Sequence, residues 1–161
     1  MRVDPPGIVI RAYRPSDLDA LIALFRDAVR KVSPKHYTPA QLRAWAPDEI
    51  DRERWARRCA DNWTWVAEFD RRPVGFIDLG ADGHVDMLYV HADHQGQGVA
   101  HALLAAVEAM AHRQAIARLF AEASVTARGF FERHGFRAIE AQTVRRADLD
   151  LVNFRMEKSL R

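Results

Sequence analysis

Apolar residues recur at two different periods along this chain, and each period marks a different kind of element. Residues 7–13, GIVIRAY, read as a first strand. From Ser16 onward, Leu18, Leu21, Ile22, Phe25, Val29 and Val32 fall three and four apart, predicting a helix with one buried stripe. Ser16, with Asp19 three residues on, predicts the capping box that starts it. Prolines 34, 39 and 47 interrupt the next stretch and leave a short helix from Pro39 to Trp45, followed by another over residues 51–61. Three apolar runs then alternate with turn residues: WTWVAEF (63–69), VGFIDL (74–79) and HVDMLYV (84–90), which predict an antiparallel meander.

The rhythm changes in the second half. Val99, Leu103, Val107 and Met110 share one face of a helix over 98–112. RLFAEAS (118–124) reads as a strand, TARGFFERH (126–134) as a helix, and residues 135–144 and 151–160 as two more strands. A strand–helix–strand unit returns the chain in the same direction, so 84–90 and 118–124 are expected to pair in parallel around the central helix. The predicted fold class is therefore α/β with a mixed (α+β) sheet, antiparallel first and partly parallel later. The 161 residues suit a single domain spanning 1–161.

Composition narrows the function classes. Hydrophobic residues make up 48% and charged residues 29%, an ordinary globular mix. No run approaches the roughly 18 apolar residues of a membrane span, and the N-terminus lacks a signal peptide's apolar segment. Cys59 is the single cysteine, so no internal disulfide forms. These features predict a soluble cytoplasmic protein without a membrane partner. A net charge of +2 gives no reason to expect nucleic acid.

The candidate chemistry centres on YVHADHQGQGVAHALL, residues 89–104, where a strand ends, two glycines follow and a helix begins. The first amides of a helix lack intrahelical partners and carry partial positive charge, so a turn stripped of side chains lets an anion approach them. A tight turn that needs glycine for positive φ is the competing reading. The stretch has no Gly-Lys-Ser/Thr of a P-loop, and His101 stands where a dinucleotide fingerprint needs its third glycine.

The run Gln95-Gly96-Gln97-Gly98-Val99-Ala100 resembles the Arg/Gln-x-x-Gly-x-Gly/Ala pattern of the GCN5-related N-acetyltransferases, which also follows a strand and opens a helix. SVTARGFFERHGF, residues 124–136, is similar to that family's second conserved region, and the order of elements agrees from Ile8 to Leu160. The resemblance implies the family's acyl-coenzyme A N-acyltransferase fold and acetyl-coenzyme A as co-substrate, with no metal. It implies that backbone groups of Leu88, Tyr89 and Val90 hold the pantetheine arm and that residues Gln95, Gly96, Gln97, Gly98, Val99 and Ala100 hold the pyrophosphate. Ser124 would lie near the pantetheine, and Ala127, Phe130, Phe131 and Arg133 would flank the thiol and nucleotide. The activity implied is acetyl transfer to a primary amine of a small molecule or peptide, by direct attack in a ternary complex. The alternatives are a non-catalytic acyl-coenzyme A sensor and an enzyme acting on protein lysines or N-termini. Family members often dimerise, so a homodimer is a further expectation.

Acetyl transfer needs a neutral amine, a polarised carbonyl and a route for the thiolate to leave. Alternation places His84, Asp86, Leu88 and Val90 on one strand face. His84 and Asp86 stand where family members carry a base, and a neutral imidazole suits that role near pH 7. A half-exposed polar strand face is the plainer reading. Where many members have a tyrosine acid, this chain has Phe131, which cannot donate a proton; Tyr89, Tyr37 and His134 are the remaining donors. His84, Asp86, His91, Asp93 and His94 also resemble a metal cluster, but their spacing fits no established zinc pattern. Cys59 reads as core rather than nucleophile. The acceptor would meet residues 33–45, with His36, Tyr37 and Trp45, and residues 142–153, with Arg145 and Arg146.

Overall fold

The computed structural model describes residues 5–32 and 35–161. The side chain of Val32 and residues 33–34, which fall in the predicted stripe and proline-rich segment, lie outside the described set. The chain runs β1 (Ile8–Ala12), α1 (Leu18–Val32), α2 (Pro39–Trp45), α3 (Arg52–Asp61), β2 (Trp63–Phe69), β3 (Arg72–Leu79), β4 (Leu88–Val90), α4 (Val99–Arg113), β5 (Arg118–Ser124), α5 (Arg128–Arg133), β6 (Arg137–Arg146) and β7 (Leu149–Ser159).

Strands β1 to β4 form an antiparallel sheet in sequence order, and β5, β7 and β6 form a second antiparallel sheet with β7 in the middle. The two sheets touch through a parallel bridge between His84 and Phe120, with the Val85 amide donating to the Phe120 carbonyl and the Phe120 amide to the Gly83 carbonyl. The parallel relation expected from the crossover helix is thus realised as a bridge. Beyond it, β4 and β5 are edges of different sheets, and a cleft lies between them. Gly83 makes the bridge feasible: it holds φ +95°, and a Cβ there would lie 2.1 Å from the Arg118 carbonyl oxygen.

Helix α4 covers one face of the first sheet. Val99, Leu103, Leu104 and Val107 join Ile77, Leu79, Leu119 and Met156 in a core that spans both sheets. The predicted stripe on α1 is buried from Leu18 to Val29, and with Trp55, Phe76 and Met87 it fills the opposite face. The start of α1 differs from the expected capping box. Pro15–Asp17 form a 3-10 turn, and Asp17 accepts from the Arg14 amide and pairs bidentately with Arg11 at 2.8 Å. Burial alone would raise the Asp17 carboxyl, but the Arg11 guanidinium and the Arg14 amide hold it below the usual carboxylate range. Asp19 instead pairs with Arg52 at the surface. Helix α2 keeps its predicted bounds because Thr38 and Gln41 cap each other's backbone amides.

Candidate functional site

Strand β4 is shorter than the alternation of HVDMLYV predicts. Its ladder with β3 covers Leu88–Val90, and the amides of Asp86 and Met87 turn to the carboxylate of Asp78 at 3.0 and 2.7 Å. Asp78 is fully buried, and its other oxygen accepts from Asn62 Nδ2 at 3.0 Å. Burial raises this carboxyl above its usual range, although the three N–H donors oppose the shift. Asp78 thereby sets the backbone that presents His84, Asp86 and Leu88, and nothing in the sequence pattern distinguishes it from an ordinary polar strand residue.

Hydrogen bonds from the His91 amide to Val74 and from the Asp78 amide to Met87 place Phe76–Tyr89 in the closely bonded class of pairs. The backbone of Tyr89 is therefore directed to β3, whereas Leu88 and Val90 direct theirs away from β3, on the free edge. Gln95 Nε2 takes the Val90 carbonyl at 3.2 Å. The Leu88 amide and carbonyl form the open part of that edge. This differs from the expectation that all three residues offer backbone groups to a bound arm.

The free edge faces β5 across a cleft of about 490 Å³. Leu88, Tyr89, Val90, Gln95, Gly96, Gly98, Val99, Ala100, Ser124, Ala127, Phe130, Phe131 and Arg133 all line it; Gln97 does not. Both glutamines are exposed, and both side chains bond back to the backbone, Gln97 donating to the Asp93 carbonyl at 3.4 Å, so they stiffen the loop. Gly98 caps α4 at φ +85°, Gly96 lies at φ +72°, and a Cβ at Gly96 would meet nothing within 4 Å. The open space expected of an anion site is present at Gly96, whereas a Cβ at Gly98 would lie 3.3 Å from Pro5 Cγ at the mouth of α4.

A second cavity, of about 720 Å³, lies between α2, α3 and the second sheet. Trp45, Asp86, Tyr89, Glu122 and Ser124 line both cavities and form the wall where they meet. His84 lines the second cavity. Its Nε2 lies 2.6 Å from Glu122 Oε2 and 4.0 Å from Asp86 Oδ1, and its ring stacks on Phe120 at 4.7 Å and 3°. Asp86 pairs with Arg58 Nε at 3.2 Å. The close partner of His84 is thus Glu122, a residue outside the sequence-derived set. Alternation along RLFAEAS already places Glu122 on the face of Phe120 and Ser124, and that is the signal that could have found it.

Ligand atoms of His84, Asp86 and Glu122 lie within 4.8 Å of one another, the spacing a bound cation would need. In the arrangement shown they are already engaged with each other and with Arg58. His91, Asp93 and His94 do not join this group: His91 accepts from the Asp93 amide, and His94 packs on Phe69 at 5.2 Å. Among the candidate proton donors, Tyr37 is consumed, donating to the Val152 carbonyl and accepting from the Val125 amide, both at 2.9 Å. The Tyr89 hydroxyl meets the Trp45 indole, and burial keeps its phenol well above the ordinary range. Phe131 packs on Phe130 and Phe136 while touching the cleft. Cys59 is buried, and burial pushes its thiol up to about 11, as befits a core residue.

The chain resembles known proteins along most of its length. Residues 34–158 match the family model described as an acetyltransferase (GNAT) domain. The chain is 38% identical over 150 residues to YafP of Escherichia coli K12, described as an uncharacterized N-acetyltransferase, covering 93% of this chain and 95% of that one. A solved GCN5-related N-acetyltransferase from Rhodopseudomonas palustris superposes with a TM-score of 0.92 at 32% identity, covering 99% and 100% of the two chains. The PaiA N-acetyltransferase of Thermoplasma acidophilum, solved in complex with coenzyme A, shares the fold at a TM-score of 0.78 and 21% identity, covering 94% and 98%. With its glycine loop, split sheets and meeting cavities, this chain belongs to the GCN5-related N-acetyltransferase family and is an acetyltransferase.

Proposed function

We propose that the protein, acting as one domain over residues 1–161, transfers the acetyl group of acetyl-coenzyme A to a primary amine of a small molecule or peptide by direct attack in a ternary complex. The observation that carries this reading is the shared wall. One cavity is bounded by an open strand edge and a glycine loop, the other holds the His84–Glu122 pair, and they meet at Asp86, Glu122 and Ser124. Coenzyme A in the Thermoplasma protein supports the co-substrate, and the open strand edge and glycine loop support the first cavity as its place.

Acetyl-coenzyme A supplies a thioester carbonyl open to attack. The Leu88 amide, on the free edge of β4, is the donor suited to the oxygen as charge develops there. His84 and Glu122 act as a unit that takes the proton of the attacking amine, the carboxylate stabilising the imidazolium that forms. Asp86 adds negative charge at the same wall and favours an approaching cationic amine over other solutes. Its own bond to Arg58 fixes where that charge sits. Phe131 offers no proton to the departing thiolate. Tyr89 lines both cavities, but burial raises its phenol far above the ordinary range and makes it a poor acid, so the thiolate leaves without an assigned side-chain donor.

Thiol release with a broad amine panel tests this reading. Glu122→Gln and His84→Gln should each lower kcat/KM by about 10²–10⁴-fold, and the double variant should lose little more than either alone. Binding of acetyl-coenzyme A without amine-dependent thiol release across the panel would refute it.

A further inference from the structure

The coenzyme cleft is electrostatically polarised. Its acidic side chains, Asp86 and Glu122, belong to the wall shared with the second cavity, while His94, His101, Arg133 and His134 line it beside the glycine loop and α5. Within the latter set two imidazoles are bonded to each other: His101 Nδ1 lies 2.9 Å from His134 Nε2, with ring centroids 5.1 Å apart. His134 Nδ1 lies 2.8 Å from the Phe130 carbonyl, and the two side chains pack ring on ring at 4.2 Å.

These contacts assign the protons. A carbonyl only accepts, so His134 Nδ1 carries a hydrogen, and in the neutral ring Nε2 is then a bare acceptor. His101 Nδ1 must donate to it. That leaves His101 Nε2, on the exposed residue of the pair, as a lone pair. A neutral pair therefore presents an acceptor to the cleft, the wrong polarity for an anion. One added proton at His101 Nε2 converts it to a donor, and the charge is backed by the His134 acceptor behind it.

Two of the charges near the pair, Lys158 and Asp93, add nothing free beside it, whereas Arg133 brings a permanent positive charge to the same cleft. On β7, Lys158 Nζ donates to the His134 carbonyl and is neutralised by Glu108 of α4. Asp93 of the loop is turned to His91 at 3.8 Å. Arg133 of α5 and His94 of the loop share the cleft with the pair, and the first turn of α4 carries no acidic residue.

We propose that His101 and His134 form a proton-gated contact for a phosphate of the coenzyme's nucleotide, taking up a proton at His101 Nε2 as the phosphate docks. The proposal rests on the reading of this cleft as the coenzyme site. Sign follows from linkage: the bound state holds more protons, so affinity rises as pH falls and is lost as pH rises through the bound pair's titration.

Calorimetry of coenzyme A binding in two buffers of different ionisation enthalpy counts the protons. The wild type should take up a fraction of a proton, up to about one per site, near pH 7, and its Kd should weaken about three- to tenfold from pH 6.5 to pH 8. His101→Asn keeps a donor where Nδ1 stands and removes the titration, so uptake should vanish and the pH profile flatten. His134→Gln should do the same. The difference between wild type and variants subtracts any titration of the ligand's own 3′-phosphate, and 3′-dephospho-coenzyme A separates the sources. Uptake retained with that ligand assigns the contact to the diphosphate; uptake lost assigns it to the 3′-phosphate. Tight binding without proton uptake, or uptake unchanged in both variants, would overturn the proposal while leaving the coenzyme site standing. Absence of any coenzyme A binding would remove the coenzyme reading itself.

Discussion

At the scale of single residues, two carboxylates organise the site in opposite ways. Glu122 works at the surface of a cavity as the partner of His84, and Asp78 works behind it, where no ligand reaches. A buried acceptor that serves three N–H groups leaves all of them unpaired when it is removed. Asp78→Ala should therefore lower unfolding free energy by about 2–4 kcal/mol, read from denaturant midpoints at unchanged slope. Because burial raises the Asp78 carboxyl in the folded state, the native protein binds more protons than the unfolded chain in the window between the two values. The stability cost of its ionised form is fully present above the folded value and is relieved as pH falls through it. Asp78→Asn lacks this titration, so wild type should gain stability relative to that variant on mild acidification. A difference that stays constant from pH 7 down to the ordinary carboxylate range would show that the carboxylate is not strained by burial.

At the scale of elements, spans were legible wherever the pattern is carried by neighbouring residues, in helices and strands alike. The bounds of α2 and β2 coincide with the sequence reading, and α4 with its core face differs by one residue at each end. What local pattern does not encode is how strands meet. Residues 84–90 alternate as one strand, yet only Leu88–Val90 ladder with β3, since a carboxylate on the neighbouring strand competes for two amides. The pairing of His84 with Glu122 likewise depends on the register of two strands separated by a helix, which alternation leaves open. That register is set at the bridge, where Gly83 lets the β5 backbone approach. Gly83→Ala combines a positive φ with a Cβ driven into a carbonyl, and should cost about 2–4 kcal/mol and weaken coenzyme A binding together. A loss below about 0.5 kcal/mol would mean that the sheets find their register by other contacts.

At the scale of the whole molecule, the second cavity is closed because the first half of the chain reaches across to the second sheet. Tyr37 makes that span: its hydroxyl takes the Val125 amide just past β5 and gives its proton to the Val152 carbonyl of β7. Gln41 of α2 adds a bond to the Asp150 carbonyl at 2.9 Å. The Tyr37 ring is buried against Trp45, which in turn meets the Tyr89 hydroxyl at the shared wall. A chain of contacts therefore links the second sheet, through α2, to the wall shared by the two cavities. Tyr37→Phe keeps the ring and deletes both bonds, leaving a donor and an acceptor without their partner, so unfolding should become easier by about 1–3 kcal/mol, a fall of roughly 2–12 °C in Tm. The first cavity has no wall on Tyr37, whereas the second does. The variant should accordingly raise KM for the amine while KM for acetyl-coenzyme A holds, and partial loss of kcat should follow only through misplacement of the acceptor. Equal increases in both KM values would show instead that the two cavities are not separable, and that the second sheet moves as one piece with the coenzyme site.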